Sequence, residues 1–106
     1  MSSYSVTVLP SAEDDFDRLF DHLFERELAR DGGDLDCPEQ AVTAIRASFS
    51  LLKKFPFTCR KAADSPFLRE LVISFGHTGY LALFEIAANN RVLIAAIRHQ
   101  REDDYY

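Results

Sequence analysis

Tryptophan is absent from this 106-residue sequence, methionine occurs once, and there are only four glycines, four prolines and two cysteines. These scarcities exclude several classes of protein. No apolar run approaches the roughly 18 residues that a membrane-spanning helix needs, so no membrane partner is expected. Cys37 and Cys59 lie far apart and no histidine accompanies them. They read as ordinary reduced thiols rather than a disulfide framework or a zinc site. Met1-Ser2-Ser3-Tyr4 has no basic region followed by an apolar stretch, so no signal peptide is visible and a cytoplasmic protein is expected. The paired glycines Gly32-Gly33 are not followed by Lys and Ser or Thr, which removes a phosphate loop. Neither a nucleophile elbow nor a metal site is present, and no cofactor is expected.

What the sequence has is apolar mass and segregated charge. Hydrophobic residues make up 47% of it, nine of them Phe, enough for one domain over residues 1–106 to bury a core without metals or disulfides. The net charge is −5, but residues 13–40 carry eleven acidic and three basic side chains, and residues 41–101 carry three acidic and nine basic ones. The second half therefore offers a cationic surface suited to an acidic partner, unless the acidic helix is merely a solvated face. Overall acidity argues against direct binding of nucleic acid, which is driven by phosphate neutralisation.

Along the chain, Tyr4 to Val8 alternates and is β-branched, as a strand does, and Pro10 ends it. Ser11-Ala12-Glu13-Asp14 fits a variant capping box, with Ser11 accepting from the Asp14 amide. Phe16, Leu19, Phe20, Leu23, Phe24 and Leu28 follow as one helical stripe, which Gly32-Gly33 stops. Pro38 suits the first turn of a second helix, whose stripe is Ala41, Ala44 or Ile45, Phe49 and Leu52, and Pro56 ends it. The short connector makes the two an antiparallel hairpin. Residues 57–66 read as irregular.

Three apolar runs then follow, Phe67 to Phe75, Tyr80 to Ala87 and Arg91 to His99, divided by Gly76-His77-Thr78-Gly79 and Asn89-Asn90. This is the pattern of an antiparallel meander. Strict alternation places Tyr80, Ala82, Phe84 and Ile86 opposite Leu81, Leu83 and Ala87, and sets Val92, Ile94 and Ala96 against Leu93, Ala95 and Ile97. Both faces are apolar. Either the N-terminal strand and loops wrap the face the hairpin leaves open, or that face awaits a partner. The expected fold class is α+β, an N-terminal strand and helical hairpin packed on an antiparallel three- to four-stranded sheet.

The order of these features carries a resemblance. A strand, Pro10-Ser11-Ala12-Glu13 opening a helix, a helical hairpin, Leu52 with Phe55-Pro56 and Arg60, Leu68-Arg69-Glu70-Leu71, Gly79-Tyr80, and a last strand closing on Arg98-His99 with Arg101 together resemble the RelE/ParE superfamily of bacterial toxins. The resemblance spans nearly the whole chain. It implies a toxin of a type II toxin–antitoxin system, bound and neutralised by a cognate antitoxin in a hetero-oligomer.

The superfamily holds two unlike activities. RelE-like members resemble ribosome-dependent mRNA endoribonucleases, and ParE-like members act on DNA gyrase and slow growth without established catalytic chemistry. RelE-like members typically carry a basic residue directly after Gly-Tyr, where this chain has Leu81. They are also usually basic, whereas this chain is acidic, and its long hairpin, Ser11 to Phe55, matches ParE-like members. The reading is a ParE-like gyrase inhibitor with no catalytic residues of its own. The alternatives are a RelE-like nuclease and an inactive member that only binds antitoxin. For a nuclease, Arg69, Arg98, His99 and Arg101 with Tyr105 or Tyr106 offer a histidine and phosphate-binding arginines. Strand parity separates Arg98 from His99 onto opposite faces. For a gyrase inhibitor the same Arg69, Arg98, His99 and Arg101 are the candidate partner contacts. The bland reading of Arg69 is a salt bridge to Glu70 or a helix acid. Tyr80, Leu81, Leu83 and Leu93 are the candidate antitoxin contacts. His22 and His77 receive no role.

Overall fold

The computed structural model describes residues 3–76 and 78–100. The elements run β1 (Ser5–Val8), α1 (Pro10–Ala29), α2 (Cys37–Ser48), β2 (Arg60–Lys61), β3 (Leu68–Phe75), β4 (Thr78–Ala87) and β5 (Arg91–His99). The strands form one five-stranded sheet in the order β1-β5-β4-β3-β2. The α+β class stands, but the sheet is larger than expected and mixed. The N-terminal strand does not wrap the open face; it pairs parallel with β5 and extends the sheet edge. On the far edge, two residues from the supposedly irregular 57–66 segment pair antiparallel with β3.

The meander forms as its alternation and turn residues dictate. Asn89 and Asn90 adopt φ of 63° and 55°, the left-handed conformation Asn tolerates, which lets β4 turn directly into β5. Tyr80, Ala82, Phe84 and Ile86 are all buried beneath the helices. The expected pairing of faces in β5 fails midway, however. Phe84 faces Ile94 but Leu83 faces Ala96, so Ala95 is an extra residue, a β-bulge. Beyond the bulge the parity shifts. Ile97 joins Val92 and Ile94 in the core, and Ala96 falls on the other face with Leu93.

The bulge is where α1 docks. The expected capping box does not form. Leu9 caps the helix without a side-chain hydrogen bond and Pro10 occupies the first turn. Ser11 Oγ instead donates to the carbonyl of bulged Ala95 at 2.6 Å. Asp15, one turn later, accepts the backbone N–H of Ile97 on Oδ2 at 2.9 Å and pairs through Oδ1 with Arg18. A bulge disrupts the ladder locally, and a buried amide needs an acceptor, here supplied by a buried carboxylate.

Helix α1 buries Phe16, Leu19 and Leu23 as expected, but its buried stripe also takes in Ala12, Asp15 and Glu27, while Phe20 and Leu28 face solvent. Helix α2 buries Ala41 and Ile45, and its stripe continues through Phe49 and Leu52. The α-helix itself stops at Ser48; Phe49–Lys53 and Pro56–Thr58 are 3₁₀ turns, so the hairpin is shorter than its pattern suggested. Arg46 ties the two helices together, bonding both oxygens of Glu13 at 3.2 and 2.9 Å and stacking 4.2 Å above Phe16.

The loop between the helices closes on Glu27. Its carboxylate accepts the Asp34 N–H at 3.0 Å, Arg30 at 2.8 Å and Arg26 at 3.2 Å. The Asp34 amide, aided by the two arginines and opposed by desolvation, holds the Glu27 carboxyl below its ordinary value of 4.5. A carboxyl depressed on folding stabilises the protein above its unfolded pKa, and the benefit disappears as pH falls through the folded value. A Glu27→Gln variant should therefore melt below the parent at pH 7. The gap should shrink as pH falls below 4.5. Parallel melting curves at pH 7 and pH 3.5 (about one unit below the ordinary glutamate pKa) check this; a gap that does not narrow would contradict it.

Candidate functional site

Arg69 lies on β3 opposite Phe84. Its guanidinium donates to the carbonyls of Pro66 at 2.7 Å, Cys59 at 2.8 Å and Phe57 at 3.3 Å, and stacks 5.4 Å from the Phe57 ring centroid. The bland alternative for Arg69, a salt bridge to Glu70 or a helix acid, does not form among the described residues; Glu70, its strand neighbour, points to the opposite face. Arg69 instead clamps residues 57–66 against the sheet. Burial raises the pKa of the Cys59 thiol, an effect Arg69 partly offsets, which disfavours the reactive thiolate. Cys37 and Cys59 are both free thiols.

Arg98 and His99 stand on opposite faces, as parity required. His99 pairs with Tyr80 in the register and meets its ring edge-on at 5.5 Å. Arg98 lies opposite Leu81 on the other face and approaches Glu70 at 3.7 Å, while Arg60 reaches the same carboxylate at 3.2 Å. Arg98 is 14% exposed, so it is a half-buried ion-pair member rather than a free edge cation. Arg101, Tyr105, Tyr106 and His77 lie outside the described residues. Among the described residues, Arg69, Arg98 and His99 therefore do not converge on one point.

The antitoxin candidates divide in the same way. Tyr80 is 1% exposed and sits in the core beneath the helices, so it shares no surface with the others. Leu81, Leu83 and Leu93 lie together on the opposite face, Leu81 buried and the other two half-buried. Val72 on β3 pairs with Leu81, belongs to this face and is largely exposed. Alternation in β4 and β5 alone does not reach it; the same alternation in β3 identifies it.

A second surface has no counterpart among the residues the sequence points to. At the end of the sheet where β4 turns into β5, Tyr4, Phe57, Phe67, Leu68 and Ala87 line an open groove of about 820 Å³. Phe67 meets Phe57 edge-on at 6.2 Å, and Phe55, Phe57 and Phe67 are 55%, 45% and 52% exposed. The backbone of Lys53 is bound to this end by the Tyr4 N–H, which donates to its carbonyl at 2.7 Å. The available signal was that all three lysines of the chain, Lys53, Lys54 and Lys61, fall within the same short stretch as Phe55 and Phe57.

A family model for the ParE toxin of the type II toxin–antitoxin system, parDE, matches residues 6–104. The chain belongs to the ParE toxin family. It is a ParE-type toxin of a type II toxin–antitoxin system. Among solved structures, a chromosomal ParDE toxin–antitoxin system from P. aeruginosa contains a similar chain. The two superpose with a TM-score of 0.66 at 18% identity, covering 87% of this chain and 90% of that one. At that identity the likeness shows the fold alone. A search among curated proteins finds no match.

Proposed function

We propose that this ParE toxin acts in the cytoplasm as a protein inhibitor of DNA gyrase rather than as an enzyme, and that a cognate antitoxin neutralises it by direct binding in a hetero-oligomer. The observation that carries the reading is the dispersal of the chemical groups. Cleaving RNA through its 2′-hydroxyl needs a base, an acid and cations gathered at one phosphate. Here Arg69 is spent on three carbonyls, Arg98 shares Glu70 with Arg60, and His99 is on the opposite face from Arg98. The residue after Gly79-Tyr80 is Leu81, 2% exposed and uncharged. A net charge of −5 also disfavours docking on ribosomal RNA.

The antitoxin's place is the face opposite the helices, where Val72, Leu83 and Leu93 present apolar side chains beside the Glu70 ion pairs. An apolar segment folding there extends the burial the chain leaves incomplete among its described residues. Expression of the chain alone is expected to slow growth and induce a DNA-damage response, measured with a damage-responsive promoter. Growth arrest with mRNA cleaved at ribosomes and a silent damage reporter would move the reading to a RelE-type nuclease.

A further inference from the structure

Among the described residues the unpaired positive charge is not on the C-terminal strand, where the sequence reading expects it. Among the described residues Arg18, Arg26, Arg30, Arg46, Arg60 and Arg98 all pair with carboxylates. Arg69 and Arg91 are turned onto backbone carbonyls. Lys53, Lys54 and Lys61 are exposed and have no acidic partner within ion-pair distance among these residues. Phe55 and Phe57, both exposed, lie between Lys54 and Lys61 in the chain, and Phe57 with Phe67 lines the 820 Å³ groove. Exposed aromatic mass in a segment that also carries unpaired lysines is the composition of a docking surface.

We propose that this lysine- and phenylalanine-rich end, residues 53–67 with the groove beside Ala87, is the surface that docks on the toxin's protein target, which offers it a carboxylate-rich segment bearing an apolar side chain for the groove. The inference rests on the reading that the target is gyrase. Charge complementarity fixes the acidic character of the occupant, and the groove fixes its apolar anchor. One feature favours a protein over nucleic acid. Phe57 has Arg69 stacked against it and Phe67 at its edge, which leaves it poorly placed to stack a base. Glu85 stands in the groove wall, which confines the occupant's carboxylates to the lysines and leaves the groove to its apolar side chain.

The test compares the full chain with Lys53→Glu/Lys54→Glu/Lys61→Glu and, separately, with Phe67→Ser, in a supercoiling assay with purified gyrase. All these side chains are exposed, and melting curves verify that the variants fold. The triple reversal is expected to raise the concentration for half-inhibition about tenfold or more, with the difference from the parent shrinking as salt rises. Phe67→Ser is expected to weaken inhibition with little salt dependence. If the parent inhibits and both folded variants inhibit equally well, the docking inference is overturned while the gyrase reading stands. If the parent leaves supercoiling untouched, the gyrase reading fails and the inference with it. Two further results overturn the inference: parent binding to a single-stranded oligonucleotide that is lost on reversal, with inhibition intact, or a self-associated parent that the reversal dissociates, again with inhibition intact.

Discussion

Replacing Asp15 by alanine is expected to cost about 2 kcal/mol, the range for a hydrogen bond to a charged acceptor whose buried donor is left behind, and to lower the melting temperature by roughly 8–16 °C for a domain of this size. The carboxylate is 2% exposed and joins α1 to the sheet by accepting the Ile97 amide beyond the β5 bulge. Alanine leaves that amide buried among apolar side chains and removes the Asp15–Arg18 ion pair. Asparagine keeps an oxygen where Oδ2 lies but loses the charge, so Asp15→Asn should recover about half of the loss. Thermal melts of the three proteins measure it. An alanine variant as stable as the parent would mean that the bulge satisfies its amide without the helix.

Gly33→Ala should be more damaging still, at about 3 kcal/mol, the upper range for overpacking. A Cβ at residue 33 falls 1.9 Å from the backbone carbonyl oxygen of Glu27, and backbone cannot swing aside as a side-chain tip can. The loop has to open, and with it the bond from the Asp34 N–H to Glu27. Gly32 provides the contrast. Its φ of +72° strains any L-residue, but nothing lies within 4 Å of its missing Cβ, so Gly32→Ala should cost only about 1 kcal/mol. Denaturant unfolding of both variants gives the comparison directly; a milder effect at Gly33 than at Gly32 would contradict the packing of this loop.

Much of the fold is legible in the chain because its signals are local. Period-two alternation, the Asn89-Asn90 turn and the apolar stripes of the helices each act over a few residues, and the elements they imply form. What stays hidden depends on contacts distant in sequence. Nothing around Val92 to His99 announces a bulge at Ala95, because the bulge is held by Ser11 and Asp15, more than eighty residues earlier. For the same reason Asp15 and Glu27 read as part of a solvated acidic face, though each accepts a backbone amide in the folded chain. The edge strands β1 and β2 are too short to show their pairing partners. The candidate site suffers the same limit. Separation of Arg98 from His99 follows from adjacency, which survives the bulge, whereas the engagement of Arg69 and Arg98 depends on carbonyls and a carboxylate that only the fold brings near. The lysine cluster was visible in the letters but acquires meaning only beside exposed Phe67 and the groove.

Relaxed plasmid, purified gyrase and ATP, with increasing amounts of this chain, beside a ribosome-programmed translation reaction given the same amounts, test the central claim most directly. Loss of supercoiling with intact message and unimpaired translation is the predicted result. Cleaved message in the translation reaction with supercoiling unaffected would contradict it.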